Sequence, residues 1–130
     1  MRYLRILVLL TIFAPTLSGQ IEVLPKEYVD SIVKLARADT LSFYARARYA
    51  EKATTVAEAI NYDEGKFQSR MAEGIAYLNV SQFDKALNSF QQAYQIGRAL
   101  ENQRSKAYSA YYLGNVKARI QLLDESMTSF

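Results

Sequence analysis

The chain has 130 residues, half of them apolar and 22% charged, which excludes a disordered polymer and gives room for one small domain. It contains neither cysteine nor histidine, so disulfides, thiolate metal sites, the commonest metal ligand and the commonest general base are all absent. The formal charge of +3 falls to +1 once residues 1–19 are set aside, because Arg2 and Arg5 lie there, and a nearly neutral domain has no electrostatic footprint for nucleic acid.

The first nineteen residues have the three-part layout of a secretory signal peptide: a short basic start at Met1–Arg5, an apolar run at Ile6–Ala14, and small residues after Pro15. The apolar run is shorter than the ~20 residues that a membrane span needs. Cleavage is expected after Gly19, with Ser18 as the second choice; an uncleaved anchor or a buried helix is the other reading. The mature chain is therefore expected to be exported, periplasmic or secreted. Residues 20–25, which contain Pro25, read as a linker.

From Lys26 onward there is no proline and no strand-like alternation, so the spacing of apolar residues predicts helices throughout. The first, over 26–38, places Ile32, Val33, Leu35 and Ala36 inward. The second, over 40–60, uses Phe43, Ala47, Ala50, Ala53, Val56, Ala57 and Ile60. The third, over 64–79, buries Phe67, Met71, Gly74, Ile75 and Leu78, with Asp63 as its cap. The fourth, over 84–100, buries Phe83, Ala86, Leu87, Phe90, Ala93 and Tyr94, with Ser81 as its cap. The fifth, over 104–120, has its stripe at Ala107, Ala110, Tyr111, Gly114 and Ala118. Short loops at 61–63, 80–83, 101–103 and 121–123 make neighbouring helices antiparallel.

The chain also repeats itself at an offset of 40. Gly74 pairs with Gly114, Phe83 with Leu123, Asp84 with Asp124, Leu87 with Met127, Ser89 with Ser129 and Phe90 with Phe130. A fixed period in this range marks a protein built from stacked supersecondary units. Glycine in a helix interior costs ~1 kcal/mol relative to alanine, so Gly74 is expected to serve a close approach of the following helix. Gly114 is expected to do the same against Ser126 and Phe130.

These residues resemble the tetratricopeptide repeat family. With a repeat starting at Phe67, Gly74, Tyr77, Ala86, Phe90 and Ala93 fall on the family's small, aromatic, alanine, aromatic and alanine positions. With the next starting at Ala107, Gly114 and Phe130 fall in place, while Lys117 and Ser126 depart from the pattern. An earlier repeat is degenerate, keeping Ala53 but carrying Lys34 and Arg46 in place of small residues. The resemblance implies an all-α fold of antiparallel helix-turn-helix pairs, stacked as a short right-handed solenoid. Its divisions are a degenerate hairpin at 26–65, one repeat at 66–105 and a truncated one at 106–130. The stretch Ala59–Lys66 resembles junctions in the exported sensory regions of bacterial signalling proteins such as sensor histidine kinases.

No sequence feature points to catalysis. The carboxylate pairs Asp63-Glu64 and Asp124-Glu125 read as helix starts, where negative charge meets the helix dipole. Arg46, Arg48 and Lys52, interleaved with Glu51 and Glu58, read as a solvated face. Phosphate loops, nucleophile elbows and metal-ligand spacings are missing. By the resemblance, the concave face would present Gln68, Met71, Ile75 and Asn79 from one repeat and Tyr108, Tyr111, Asn115 and Arg119 from the next. The expected function is non-catalytic: an exported module that holds a protein or peptide, without cofactor or metal. The alternative is the periplasmic sensory fragment of a larger two-component signalling receptor. Self-association through an open C-terminal end is also expected. Membrane contact would come only through the export signal or a further segment downstream.

Overall fold

The computed structural model describes residues 25–129, and all of its regular structure is helical. The signal-peptide reading, residues 20–24 of the linker, and Phe130 lie outside the described residues. The described residues form five helices: α1 (Lys26–Ala36), α2 (Phe43–Ala59), α3 (Asp63–Asn79), α4 (Phe83–Ala99) and α5 (Gln103–Thr128). Among the described residues no helix is long and apolar enough to cross a membrane.

From α2 onward the helices keep a register of 20. They start at Phe43, Asp63, Phe83 and Gln103, and the first three are each 17 residues long. Among the described residues, the non-glycine positions with positive φ keep the same register: Asn61 at 53°, Ser81 at 60° and Glu101 at 54°. At the first two turns the hydrogen bonds are those of a Schellman motif. The Asn61 amide donates to Glu58 and the Tyr62 amide to Ala57; the Ser81 amide donates to Leu78 and the Gln82 amide to Tyr77. The Glu101 amide likewise donates to Arg98. These bonds satisfy carbonyls that the helix end would orphan and reverse the chain within three residues. Ser81 is therefore a left-handed turn residue and not the cap of α4, whose N-cap is Gln82. Asp63 is likewise no cap; it is the first residue of α3 and pairs with Lys66 at 2.8 Å.

Each helix packs on the one before it, and α1 touches α3 as α3 touches α5. The larger core lies between α3, α4 and α5, around Phe67, Met71, Leu78, Ala86, Phe90 and Val116, and Ala47 of α2 joins it. A second core joins Val29, Ile32 and Val33 of α1 to Ala53 and Ala57 of α2. On α1 the inward stripe is Val29, Ile32, Val33 and Ala36, spaced i, i+3, i+4, i+7. Leu35, expected inside, is 44% exposed. On α2 the alanines are inside, whereas Phe43, expected with them, is 40% exposed.

Two expectations fail on α5. The loop at 121–123 is absent, because the helix runs unbroken to Thr128. Residues 118–125 include no glycine or proline, and an unbroken helix keeps every backbone hydrogen bond that a turn would give up. The separate second helix of the 106–130 repeat is therefore missing, and Asp124-Glu125 sits at a helix end instead of a helix start. The phase of α5 also differs. Ser105, Ser109 and Val116 are buried, with Tyr112, Leu113 and Ile120 packed against the core, whereas Ala107, Ala110, Tyr111, Gly114 and Ala118 are exposed.

Candidate functional site: a groove between α1, α3 and α5

The contacts of α3 with α1 and α5 leave a concavity of about 240 Å³ lined by Ala36, Arg37, Asp39, Arg46, Ala72, Ile75, Ala76 and Tyr108. Its apolar floor comes from the small residues where α1 meets α3. Ala36 and Ala72 are nearly buried there, and Tyr108 of α5 forms an aromatic wall that is 40% exposed.

The two cations of the groove are held differently. The Arg46 guanidinium donates to the Ala38 carbonyl at 2.7 Å and to the Asp39 carboxylate at 2.6 Å, and it lies over the Phe43 ring. Its side chain is only 11% exposed, so it staples the α1–α2 connection and is not part of the solvated face expected for it. Arg37 instead donates to the neutral Gln68 side chain at 2.6 Å. No carboxylate among the described residues lies within salt-bridge distance of Arg37, so its charge remains available to an incoming anion. Gln68 is fixed in turn by donating to Glu64 at 2.7 Å. Burial raises the pKa of the Tyr112 hydroxyl, and its neighbours Tyr108 and Tyr111 add to the effect, while the nearby Arg37 charge opposes them.

The residues expected on a concave face divide three ways. Ile75 and Tyr108 line the groove, and Gln68 supports it through Arg37. Met71 is fully buried in the core and does not line the groove. Asn79, Tyr111, Asn115 and Arg119 lie elsewhere: Asn79 donates to the Ile75 carbonyl, Tyr111 is 65% exposed with its ring edge-on to Tyr112, and Arg119 donates to Asn115 at 3.0 Å. Arg37 was not picked out in the sequence because it follows the last apolar residue of α1 and belongs to no pattern. Arg46 did carry a signal, since an arginine replaces the expected alanine there.

The residues expected at helix contacts divide as well. A Cβ built on Gly74 would stand 2.6 Å from Cε1 of Phe90, so the glycine admits that ring. Phe90, Ala86 and Ala93 are fully buried. Tyr77 is buried and donates its hydroxyl to Glu51; burial, then that carboxylate, raises its pKa. Phe90 also stacks on Tyr112 at 5.2 Å, which joins α3, α4 and α5 through one ring. At Gly114, nothing among the described residues lies within 4 Å of a Cβ built there.

A buried polar seam joins α2 to α3. Thr54 donates to Ser69 at 2.9 Å or to the Ala50 carbonyl, and Ser69 donates to the Lys66 carbonyl. Next to it, Arg70 bridges Glu58 and Glu73, each at 3.1 Å.

Compared with family models, with curated proteins and with solved structures, the chain finds no match in any of the three.

Proposed function

We propose that the chain is a non-catalytic helical-repeat module of tetratricopeptide type, and that the groove between α1, α3 and α5 holds an extended segment of a protein partner. The repeat reading draws support from the register of 20 residues per helix, two helices to a period of 40. It also draws support from contacts in which alternate helices touch along one side only: α1 with α3 and α3 with α5, while α2 and α4 do not meet.

The observation that carries the binding reading is Arg37: a cation at the rim of an apolar floor with no carboxylate within salt-bridge distance among the described residues. A volume of about 240 Å³ suits one apolar side chain, and the guanidinium can take a carboxylate, or a backbone carbonyl beside it, through paired hydrogen bonds. Tyr108 can lie along the segment at little entropic cost.

Peptides selected against the chain from a random display library provide the test. Arg37→Ala is expected to weaken a selected peptide by about tenfold or more, equivalent to ~1.4 kcal/mol, and binding by the native chain should weaken with added salt. Asn115→Ala with Arg119→Ala should leave binding unchanged. If selected peptides bind Arg37→Ala and Ile75→Asp as tightly as the native chain, the groove is not the site.

A further inference from the structure

In the sequence Arg48 and Lys52 are mixed with glutamates; the fold separates them. Of the five carboxylates on α1, α2 and their connection, Glu51 accepts from the Tyr77 hydroxyl and Glu58 pairs with Arg70, both toward α3. Asp39 pairs with Arg46, Asp30 accepts from the Tyr62 hydroxyl, and the Glu27 charge acts on Tyr62 as well. Among the described residues, no carboxylate lies within salt-bridge distance of Arg48 or Lys52. These two exposed cations share one stripe of α2 with Ala45 and Tyr49, at the helical spacing i, i+3, i+4, i+7. We infer that this stripe docks on an anionic membrane surface, with lipid phosphates meeting Arg48 and Lys52 while Tyr44 and Leu35 enter the headgroup layer.

Three features carry this. First, the face joins charge to exposed apolar side chains. Tyr44 is one turn before Arg48, and the Lys52 ammonium lies 5.8 Å over the Tyr28 ring of α1. Leu35, seven residues after Tyr28, shares that side of α1 and is exposed. Tyrosines beside lysine and arginine suit the membrane–water boundary, where a ring enters and its hydroxyl stays with the headgroups, while long cationic side chains reach the phosphates. Second, the concavity of about 470 Å³ over the stripe is bordered, among the described residues, by α2 alone. A peptide would lack a second wall to grip it there, whereas a planar array of headgroups needs none. Third, Arg48 and Lys52 are like charges at i, i+4, a spacing that disfavours the helix and is relieved by a sheet of negative charge. Leu35 and Arg37 are two positions apart and so point to different sides of α1, which leaves the α1–α3–α5 groove open while this face is occupied.

Sedimentation of the full chain with vesicles tests the inference, comparing phosphatidylcholine alone with phosphatidylcholine containing one quarter phosphatidylglycerol. The ratio of the two affinities is the readout, because the apolar run Ile6–Ala14 would partition into either vesicle. The native chain is expected to prefer the anionic vesicles at low salt and to lose that preference as salt is raised. Each basic residue close to an anionic surface strengthens binding about fivefold, so Arg48→Gln with Lys52→Gln should lower the ratio by roughly twenty-five-fold. Arg104→Gln with Lys106→Gln, equally exposed on α5, should leave it unchanged. Leu35→Ser with Tyr44→Ser should weaken binding to the anionic vesicles severalfold. All six side chains are exposed, so the variants are expected to keep the native circular dichroism and melting temperature. A chain without preference for the anionic vesicles overturns the inference, as does an equal loss in the α2 and α5 variants, which would mean diffuse attraction. Capture by immobilised polyglutamate that is lost in the Arg48→Gln, Lys52→Gln variant, without any vesicle preference, would assign the face to an acidic protein instead.

Discussion

Glu73 is the most deeply buried carboxylate of the α2–α3 face, 8% exposed, and its ion-pair partner, Arg70, is shared with Glu58. Burial raises its pKa above the ordinary 4.5; Arg70 acts against that shift, and Glu51 and Glu58 act with it. A carboxyl whose folded pKa is raised contributes stability that is present below the unfolded value and lost as pH rises through the folded one. Glu73→Gln removes this titration, keeps the shape, and leaves Arg70 paired with Glu58. The variant is expected to melt a few degrees higher than the native chain at pH 7, with the difference shrinking as pH falls toward 4.5. Urea denaturation across that range checks it; a variant less stable at every pH would show that the Arg70–Glu73 bond outweighs the burial cost. The sequence placed Glu73 on a helix but gave no sign of its burial, because a glutamate between Ala72 and Gly74 carries no periodic signal of its own.

At the scale of elements, the helices were legible wherever apolar residues mark the inner face. On α3 and α4, Phe67, Met71, Phe90 and the intervening alanines set the phase, and the buried residues follow it. On α5 the inner face is marked by Ser105 and Ser109, whose hydroxyl demand is met locally: Ser109 donates to the Ser105 carbonyl at 2.8 Å. Small polar residues buried in this way look like surface, while Ala107, Ala110 and Ala118 on the outer face look like core. The groove was legible only in part for the same reason, since its charged members, Arg37 and Arg46, are placed by a turn and not by a stripe. The two glycines give a clean comparison of the contact on α3 with the open face of α5. Gly74→Ala gains ~1 kcal/mol of helix propensity but drives a methyl into the Phe90 ring, and overpacking costs ~1–3 kcal/mol, so a net loss of up to about 2 kcal/mol is expected. Gly114→Ala meets nothing among the described residues and should gain up to ~1 kcal/mol. Chemical denaturation of both variants distinguishes the two sites, and equal effects would mean that the helices contact both glycines alike.

For the whole molecule, a stack in which each helix touches only its near neighbours has no single global core, so protection against local opening should follow the number of neighbours. Helix α3 is the extreme case: it touches α1, α2, α4 and α5, and ten of its 17 residues are buried. Helices α1 and α4 each meet two others, and residues 121–128 of α5 are exposed throughout. Amide hydrogen exchange is therefore expected to be slowest in α3 from Ser69 to Leu78. It should be faster in α1, which rests on the smaller core with α2, and fastest at 121–128, where opening breaks no buried contact. Exchange at 121–128 as slow as in α3 would contradict this ordering, since it would require those turns to be covered on a helix whose described surface leaves them open.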